Sequence, residues 1–286
     1  FAQPYSIKGQ FWISETSVEN QPYINSQLGY IPTISAYNKL SHDRMVDLEW
    51  AYRFDRSYNG DSLEEHHGKL YRGWLRYSSQ VIEARLGLQK VSFGPARVLR
   101  PLAWFDTIDP KDPTAQTDGV EAFRLRFFPS NSLALWTWIM KDESDTLSYG
   151  GRGELSTKLG EWGFTLHQDS DKSNSRIGLD FRYDGFLGVW FEGAGLFSES
   201  QNISEDRYTL MTLGADYTFP VGAGLLIMLE TMRIEGWSSK TDTLRSNRTI
   251  SAVMLNHPIG MFHNTMFITN LDWDENSTYN YLRWSS

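Results

Sequence analysis

The chain contains no cysteine, which removes disulfides, thiolate metal sites and haem attached through C-x-x-C-H. It also lacks anything close to the ~18 consecutive apolar residues that a membrane-crossing helix requires, and its mean hydropathy is −0.44. A helical membrane protein is therefore excluded. A membrane barrel is not, because its lipid-facing residues occupy only every second position and vanish in a hydropathy average. Basic residues are outnumbered, 27 Lys and Arg against 35 Asp and Glu for a formal charge of −8. No nucleic-acid partner is expected, since nucleic acid selects a basic footprint. No Ser sits in a G-x-S-x-G turn. The first residues lack the basic and apolar stretches of an export signal, which on this reading is absent or already removed.

Aromatic residues are abundant instead: 11 Trp, 14 Tyr and 16 Phe among 286 residues. Residues 45–55, MVDLEWAYRFD, show their setting. Val46, Leu48, Trp50, Tyr52 and Phe54 alternate with Asp47, Glu49, Ala51, Arg53 and Asp55. A β-strand sends successive side chains to opposite faces, so this segment has one apolar and one ionic face. A soluble sheet would bury the apolar face beneath a second layer. A membrane barrel would turn it to lipid and line its lumen with the charges.

Three features favour the barrel. The alternating segments run to about 9–13 residues, against ~5–6 in soluble sheets and ~9–11 needed to cross a bilayer. The breaks alternate in kind along the chain. Tight turns rich in Gly, Pro, Asn, Asp and Ser are expected at 41–43, 78–79, 129–132, 159–161, 184–186, 220–224 and 256–260. More polar and mostly longer connections are expected at 15–27, 59–67, 93–118, 142–146, 170–175, 199–206, 235–244 and 272–277. Aromatics also recur near segment ends, Trp12, Tyr58, Trp162, Trp237 and Trp273 among them, where interfacial girdles would lie. The expectation is one all-β domain over residues 1–286. It is an antiparallel transmembrane β-barrel of about sixteen strands, with short periplasmic turns and longer extracellular loops, in a bacterial outer membrane.

Facing read strand by strand puts Arg53, Arg72, Arg76, Arg85, Arg124, Arg126, Arg152, Arg176 and Arg182 on the lumen wall. Asp47, Glu49, Asp55, Glu83, Glu154, Asp180, Asp184, Glu192, Asp216 and Glu230 oppose them. Arg72, Arg76, Arg85, Arg124 and Arg126 fall on three consecutive strands and form one basic stripe. Such a stripe suits anionic solutes, because guanidinium forks hold carboxylate or phosphate in two-point contacts. The alternative is an interior filled by cross-strand ion pairs. Segments near 132–140, 223–233 and 260–270 are apolar on both sides, and their facing is left open.

The longest connection, 93–118, carries Val98, Leu99, Leu102, Trp104, Phe105 and Ile108 and is too apolar to wave in water. Connections of this length are usually functional or disordered, and these hydrophobics argue against disorder. It is expected to fold into the lumen as a constriction, bringing Arg97, Arg100, Trp104, Asp106, Asp109 and Asp112 to the narrowest place. An external lid or a partner-docking surface is the alternative. The segment GLQKVSFGPARVLRPLAWFDTIDPKDP contains Gly87, Gln89, Gly94, Arg97 and Leu99, followed by Trp104 and Asp106. It resembles the G-x-Q-x-x-x-x-G-x-x-R-x-L segment of alginate-export-type outer-membrane porins and their relatives, mainly over residues 85–126. The resemblance implies an outer-membrane barrel whose arginine-rich lumen passes acidic solutes.

His167 and Asp169 share a strand face, and Glu64-Glu65-His66-His67 has donors for a divalent metal. Chance spacing and a solvated loop are the plainer readings, so no catalytic residue, metal or cofactor is expected. The function expected is a passive, porin-like channel for small polar or anionic solutes. The rival is a barrel scaffold that docks or sheathes a partner protein without conducting, and a third reading is a secreted lectin or sandwich. Expected partners are outer-membrane lipid and lipopolysaccharide, with acidic loops at 142–145 and 272–275 meeting bridging divalent cations. A homo-oligomer or an envelope partner protein is also expected.

Overall fold

A computed structural model describes residues 4–17, 24–108, 110, 114, 116–141, 146–169, 174–198, 207–238 and 243–285. The first eight strands are β1 (Tyr5–Ser17), β2 (Ile24–Ser41), β3 (Arg44–Asn59), β4 (Ser62–Ser78), β5 (Ile82–Gln89), β6 (Val120–Ser130), β7 (Leu133–Lys141) and β8 (Leu147–Thr157). The second eight are β9 (Gly160–Asp169), β10 (Asn174–Asp184), β11 (Gly188–Ser198), β12 (Arg207–Phe219), β13 (Leu225–Ser238), β14 (Thr243–Ile259), β15 (His263–Asp272) and β16 (Ser277–Ser285). They form one sheet in chain order, each strand beside the next. The pairings are antiparallel, as in Asp47 opposite Arg76 and Asp180 opposite Glu192.

Two breaks read from the sequence are corrected. Residues 59–67 are not a long loop: Asn59 pairs with Ser62 across a tight turn, and β4 runs through Glu64–His67. Asn-Gly is a strong hairpin signal, and polar residues beyond the apolar band can stay extended with both faces in water. Likewise β14 continues through Asn256–Ile259, and the turn lies at 260–262. The strands accordingly range from 8 to 18 residues rather than 9–13. The acidic connection 142–145 lies outside the described residues.

Contacts group the chain into two compact units. The first comprises Phe1–Val91, Phe105–Phe128 and Trp138–Asp142; the second comprises Ser92–Trp104, Pro129–Thr137 and Glu143–Ser286. In the first, Leu48, Trp50 and Phe54 of β3 are 42 %, 42 % and 50 % exposed. Between them, Asp47, Arg53 and Asp55 are mostly covered, each engaged with a neighbour or facing one. The apolar side chains are outside and the charges inside. On the covered face Trp12, Ile31, Ala51 and Tyr71 pack into a small cluster.

The second unit repeats the inversion. Leu166, Ile177, Leu179, Val189, Leu213 and Leu229 are exposed, whereas Thr165, His167, Asp180, Glu192, Thr212 and Glu230 are buried. Two segments whose facing the sequence left open are resolved here. Met228 and Glu230 of β13 face inward with Leu229 outward, and Met266 and Ile268 of β15 are buried. The ambiguity has a physical cause. The inner face is itself apolar where Trp190, Met228, Met254, Met266 and Ile268 pack on Ala96 and Val98 of the long connection.

Candidate functional site

In the first unit the basic stripe forms one row. Arg76 of β4 lies opposite Arg85 of β5, which lies opposite Arg124 of β6. Like charges placed directly opposite repel, so the row needs carboxylates. Asp47 receives two bonds from Arg76, at 2.8 Å from Nε and 2.7 Å from Nη2. Glu83 accepts from Arg124 Nη2 at 3.0 Å and Arg76 Nη1 at 3.4 Å, and its Oε1 lies 3.7 Å from Arg85 Nη2. Trp74 lies under Arg85, with the guanidinium 4.4 Å from the ring centroid, a contact that suits a partly desolvated cation. Arg126 stands over Phe128 at 5.0 Å. Glu49 shares the covered side of β3, in register with Trp74. Counting Arg72, Arg76, Arg85, Arg124 and Arg126 against Asp47, Glu49 and Glu83 leaves the stripe basic.

Other first-unit charges hold the second part of the long connection. Arg72 is buried and donates to the Thr117 carbonyl at 2.6 Å, and Lys69 pairs with Asp118 at 2.8 Å. Arg53 pairs with Asp55 at 2.7 Å and lies over Trp12. Asp106 is buried and accepts the Ile108 N–H at 3.3 Å. Asp109 and Asp112 lie outside the described residues. Glu65 and His67 contact each other at 2.6 Å on an exposed strand, and no group of three metal-ligating side chains occurs among the described residues.

The second unit holds Ser92–Trp104 with two carboxylates from its wall. Glu192 of β11 is 0 % exposed and accepts the Ala96 N–H at 2.6 Å and the Leu102 N–H at 3.2 Å. Glu230 of β13 is 1 % exposed. Its Oε1 accepts the Arg97 N–H at 2.7 Å and Trp190 Nε1 at 3.2 Å, and its Oε2 accepts the N–H groups of Val98 at 3.0 Å and Leu99 at 2.7 Å. These carboxylates satisfy loop amides that would otherwise be buried and unpaired. Both were expected on the wall, but they grip the connection rather than face a solute. Sequence reasoning missed that role; its one signal is an acid on an otherwise apolar inner face, as in Met228-x-Glu230.

Arg152 completes the anchor. It makes a two-point contact with Asp180 at 2.6 and 2.9 Å, donates to Thr165 at 2.7 Å and Glu154 at 2.9 Å, and lies over Phe93 at 5.2 Å. Arg100 donates to the Ala96 carbonyl and to Ser92 Oγ, Trp104 Nε1 to the Pro101 carbonyl at 3.0 Å, and Arg176 reaches the Trp104 carbonyl at 3.4 Å. Arg97 extends its side chain, 42 % exposed, to within 3.6 Å of Asp216. Arg182 is clamped by Asp184 at 2.6 and 2.9 Å. A recess of about 380 Å³ remains between Ser92–Pro95 and Arg152, Glu161, Asp180 and Arg182. His167 Nε2 and Asp169 Oδ1 are 3.8 Å apart, too far for a hydrogen bond.

The motif glycines have structural reasons. Gly94 has φ +79°, and a methyl group there would overlap the Glu192 carboxylate. Gly87 has φ +114° and leaves no room for a Cβ against the Gly73 carbonyl. Gln89 is fully buried and donates to the Ala122 carbonyl at 2.9 Å.

No family model and no curated protein matches the sequence. Solved structures do match along nearly its whole length. Salmonella typhi OmpF, in complex with daunomycin, is 10 % identical with a TM-score of 0.60, covering 97 % of this chain and 96 % of its own. Vibrio cholerae OmpT, an outer-membrane protein, is 8 % identical with a TM-score of 0.64, covering 97 % and 94 %. A variant of the Rh. blastica porin is 9 % identical with a TM-score of 0.57, covering 98 % and 99 %. The fold is that of a porin. It is an all-β antiparallel sheet with the barrel fold of these outer-membrane proteins, its exposed apolar side chains on one face and its covered charges on the other.

Proposed function

We propose that this chain is a passive outer-membrane channel for small polar or anionic solutes, narrowed by the connection 93–118. The observation that carries the reading is the row Arg76–Arg85–Arg124 on an inner wall, with Arg72 and Arg126 beside it and fewer carboxylates than guanidiniums. A charged wall of this kind selects among solutes by sign. The anchored connection supports a fixed constriction, since its amides are bonded to wall carboxylates and its apolar residues are packed. Kinship with the alginate-export-type porins rests on Gly87, Gln89, Gly94, Arg97 and Leu99, whose burial, close approaches or loop contacts support a shared local design. We assign the channel no reaction, and a homo-oligomer is its natural assembly.

A second reading has its own support. The packed cluster of Trp190, Met228, Met254, Met266 and Ile268 fills inner-face space with apolar side chains, as a scaffold that conducts nothing would. Purified protein in a planar bilayer separates the two. Stepwise ionic conductance is expected of the channel, and silence would leave the scaffold.

A further inference from the structure

We propose that the outward face of β12–β14, at its loop-side end, binds the phosphorylated sugar headgroup of an outer-leaflet glycolipid. The inference rests on the membrane placement proposed above. Along β12 the outward positions Phe219, Tyr217, Ala215, Leu213 and Met211 are largely apolar. At ~3.3 Å per residue and a tilt of ~40°, Phe219 to Met211 spans roughly 20 Å of depth, near the ~25 Å height of an apolar band. Met211 is paired with Arg233 of β13, so this guanidinium points outward where hydrocarbon gives way to headgroups.

An arginine on the lipid face needs an explanation, and its surroundings supply one. Arg233 is 43 % exposed; its Nη1 donates to Thr249 Oγ1 at 2.9 Å and its Nε to Glu235 Oε1 at 3.4 Å. Its Nη2 has no partner among the described residues. Four positions further along β13, Trp237 lies opposite Arg207, whose guanidinium stands 5.2 Å from the ring centroid. The two arginines are therefore on the order of 13 Å apart along the strand, a spacing that suits two phosphates on a disaccharide-sized headgroup. Trp273, 60 % exposed, is tethered to Ser251 Oγ at 2.8 Å, and Ser251 in turn contacts Thr231 Oγ1 at 3.0 Å. Guanidinium forks hold phosphate in two-point contacts, and indoles combine an apolar ring with a polar edge at membrane interfaces. Among the described residues the acids nearby are occupied: Glu235 braces Arg233, and Asp274 accepts the Thr249 N–H at 2.6 Å. A phosphate is the group that Arg233 lacks.

The test uses detergent-purified protein, lipopolysaccharide and native mass spectrometry, with chemically dephosphorylated lipopolysaccharide and inorganic phosphate as separate arms. Wild type should retain lipopolysaccharide. The Arg207→Gln/Arg233→Gln variant should lose at least tenfold in apparent affinity, as should wild type offered the dephosphorylated lipid. Arg233→Lys should keep part of the binding, and inorganic phosphate should not displace the lipid. Heat-dependent gel mobility verifies that each variant is folded. Equal retention by the double variant, equal binding of the dephosphorylated lipid, or full displacement by inorganic phosphate would overturn the proposal. So would a variant that lost its oligomeric mass but kept the lipid, which would make this face a contact between copies. Wild type that held the lipid but stayed silent in a bilayer would sink the channel and leave the lipid site standing.

Discussion

Replacing Glu230 with Gln is the sharpest perturbation of the anchored connection. Each carboxylate oxygen serves two donors: Oε1 takes Arg97 N–H and Trp190 Nε1, and Oε2 takes Val98 and Leu99 N–H. Glutamine keeps one oxygen and replaces the other with an NH₂ that confronts two donors. Whichever way the amide turns, two bonds to a charged acceptor disappear. At ~1.5–3 kcal/mol each, the loss is about 3–6 kcal/mol. The strand ladder does not depend on these bonds, so the cost falls on local opening of the connection rather than on the barrel. At ~1.4 kcal/mol per tenfold, exchange of the Arg97, Val98 and Leu99 amides with deuterium should speed up by roughly 10²- to 10⁴-fold. Heat-dependent gel mobility should persist, and Glu235→Gln, at a half-buried site that does not touch the connection, should leave these amides unchanged. If amides 97–99 stayed as protected as in wild type, Glu230 would not be the anchor.

Two further outcomes are expected. Arg152→Ala strands the buried Asp180 carboxylate, and breaking such a pair costs ~3–5 kcal/mol; the thermal midpoint in detergent should fall clearly, and an unchanged midpoint would refute the pairing's weight. Arg124→Ala with Arg126→Ala thins the basic stripe and should reduce anion preference, read as a shift of reversal potential under a salt gradient. An unmoved potential would show that the solute path does not pass this wall.

Much of the fold was legible because the charges of β3, β6 and β10 fall on one face. In RIGLDFRYD the split between Ile177, Leu179 and Phe181 on one side and Asp180 and Arg182 on the other needs no third dimension. Where the interior is apolar the alternation disappears, and Met228, Met266 and Ile268 read like a lipid face although they pack on the connection. Turn positions 60–61 and 260–262 were displaced because polar strand residues outside hydrocarbon look like loop. The site was half legible. The basic stripe followed from alternation, since register places its rows. The anchoring roles of Glu192 and Glu230 did not, because their loop partners are backbone N–H groups 90 or more residues away, which carry no residue-type signature.

The absence of cysteine makes one measurement unusually clean. Single cysteines at Leu48 and Glu49, adjacent on β3 but on opposite faces, can be probed in lipid vesicles without background labelling. A charged, water-soluble thiol reagent should modify the residue at 49 and spare the one at 48, and a nitroxide on the lipid chains should quench a label at 48 alone. A label at 48 that the lipid nitroxide left unquenched, with 49 still modified from water, would mean that the apolar face is turned to protein and the ionic face to bulk water, which contradicts the barrel.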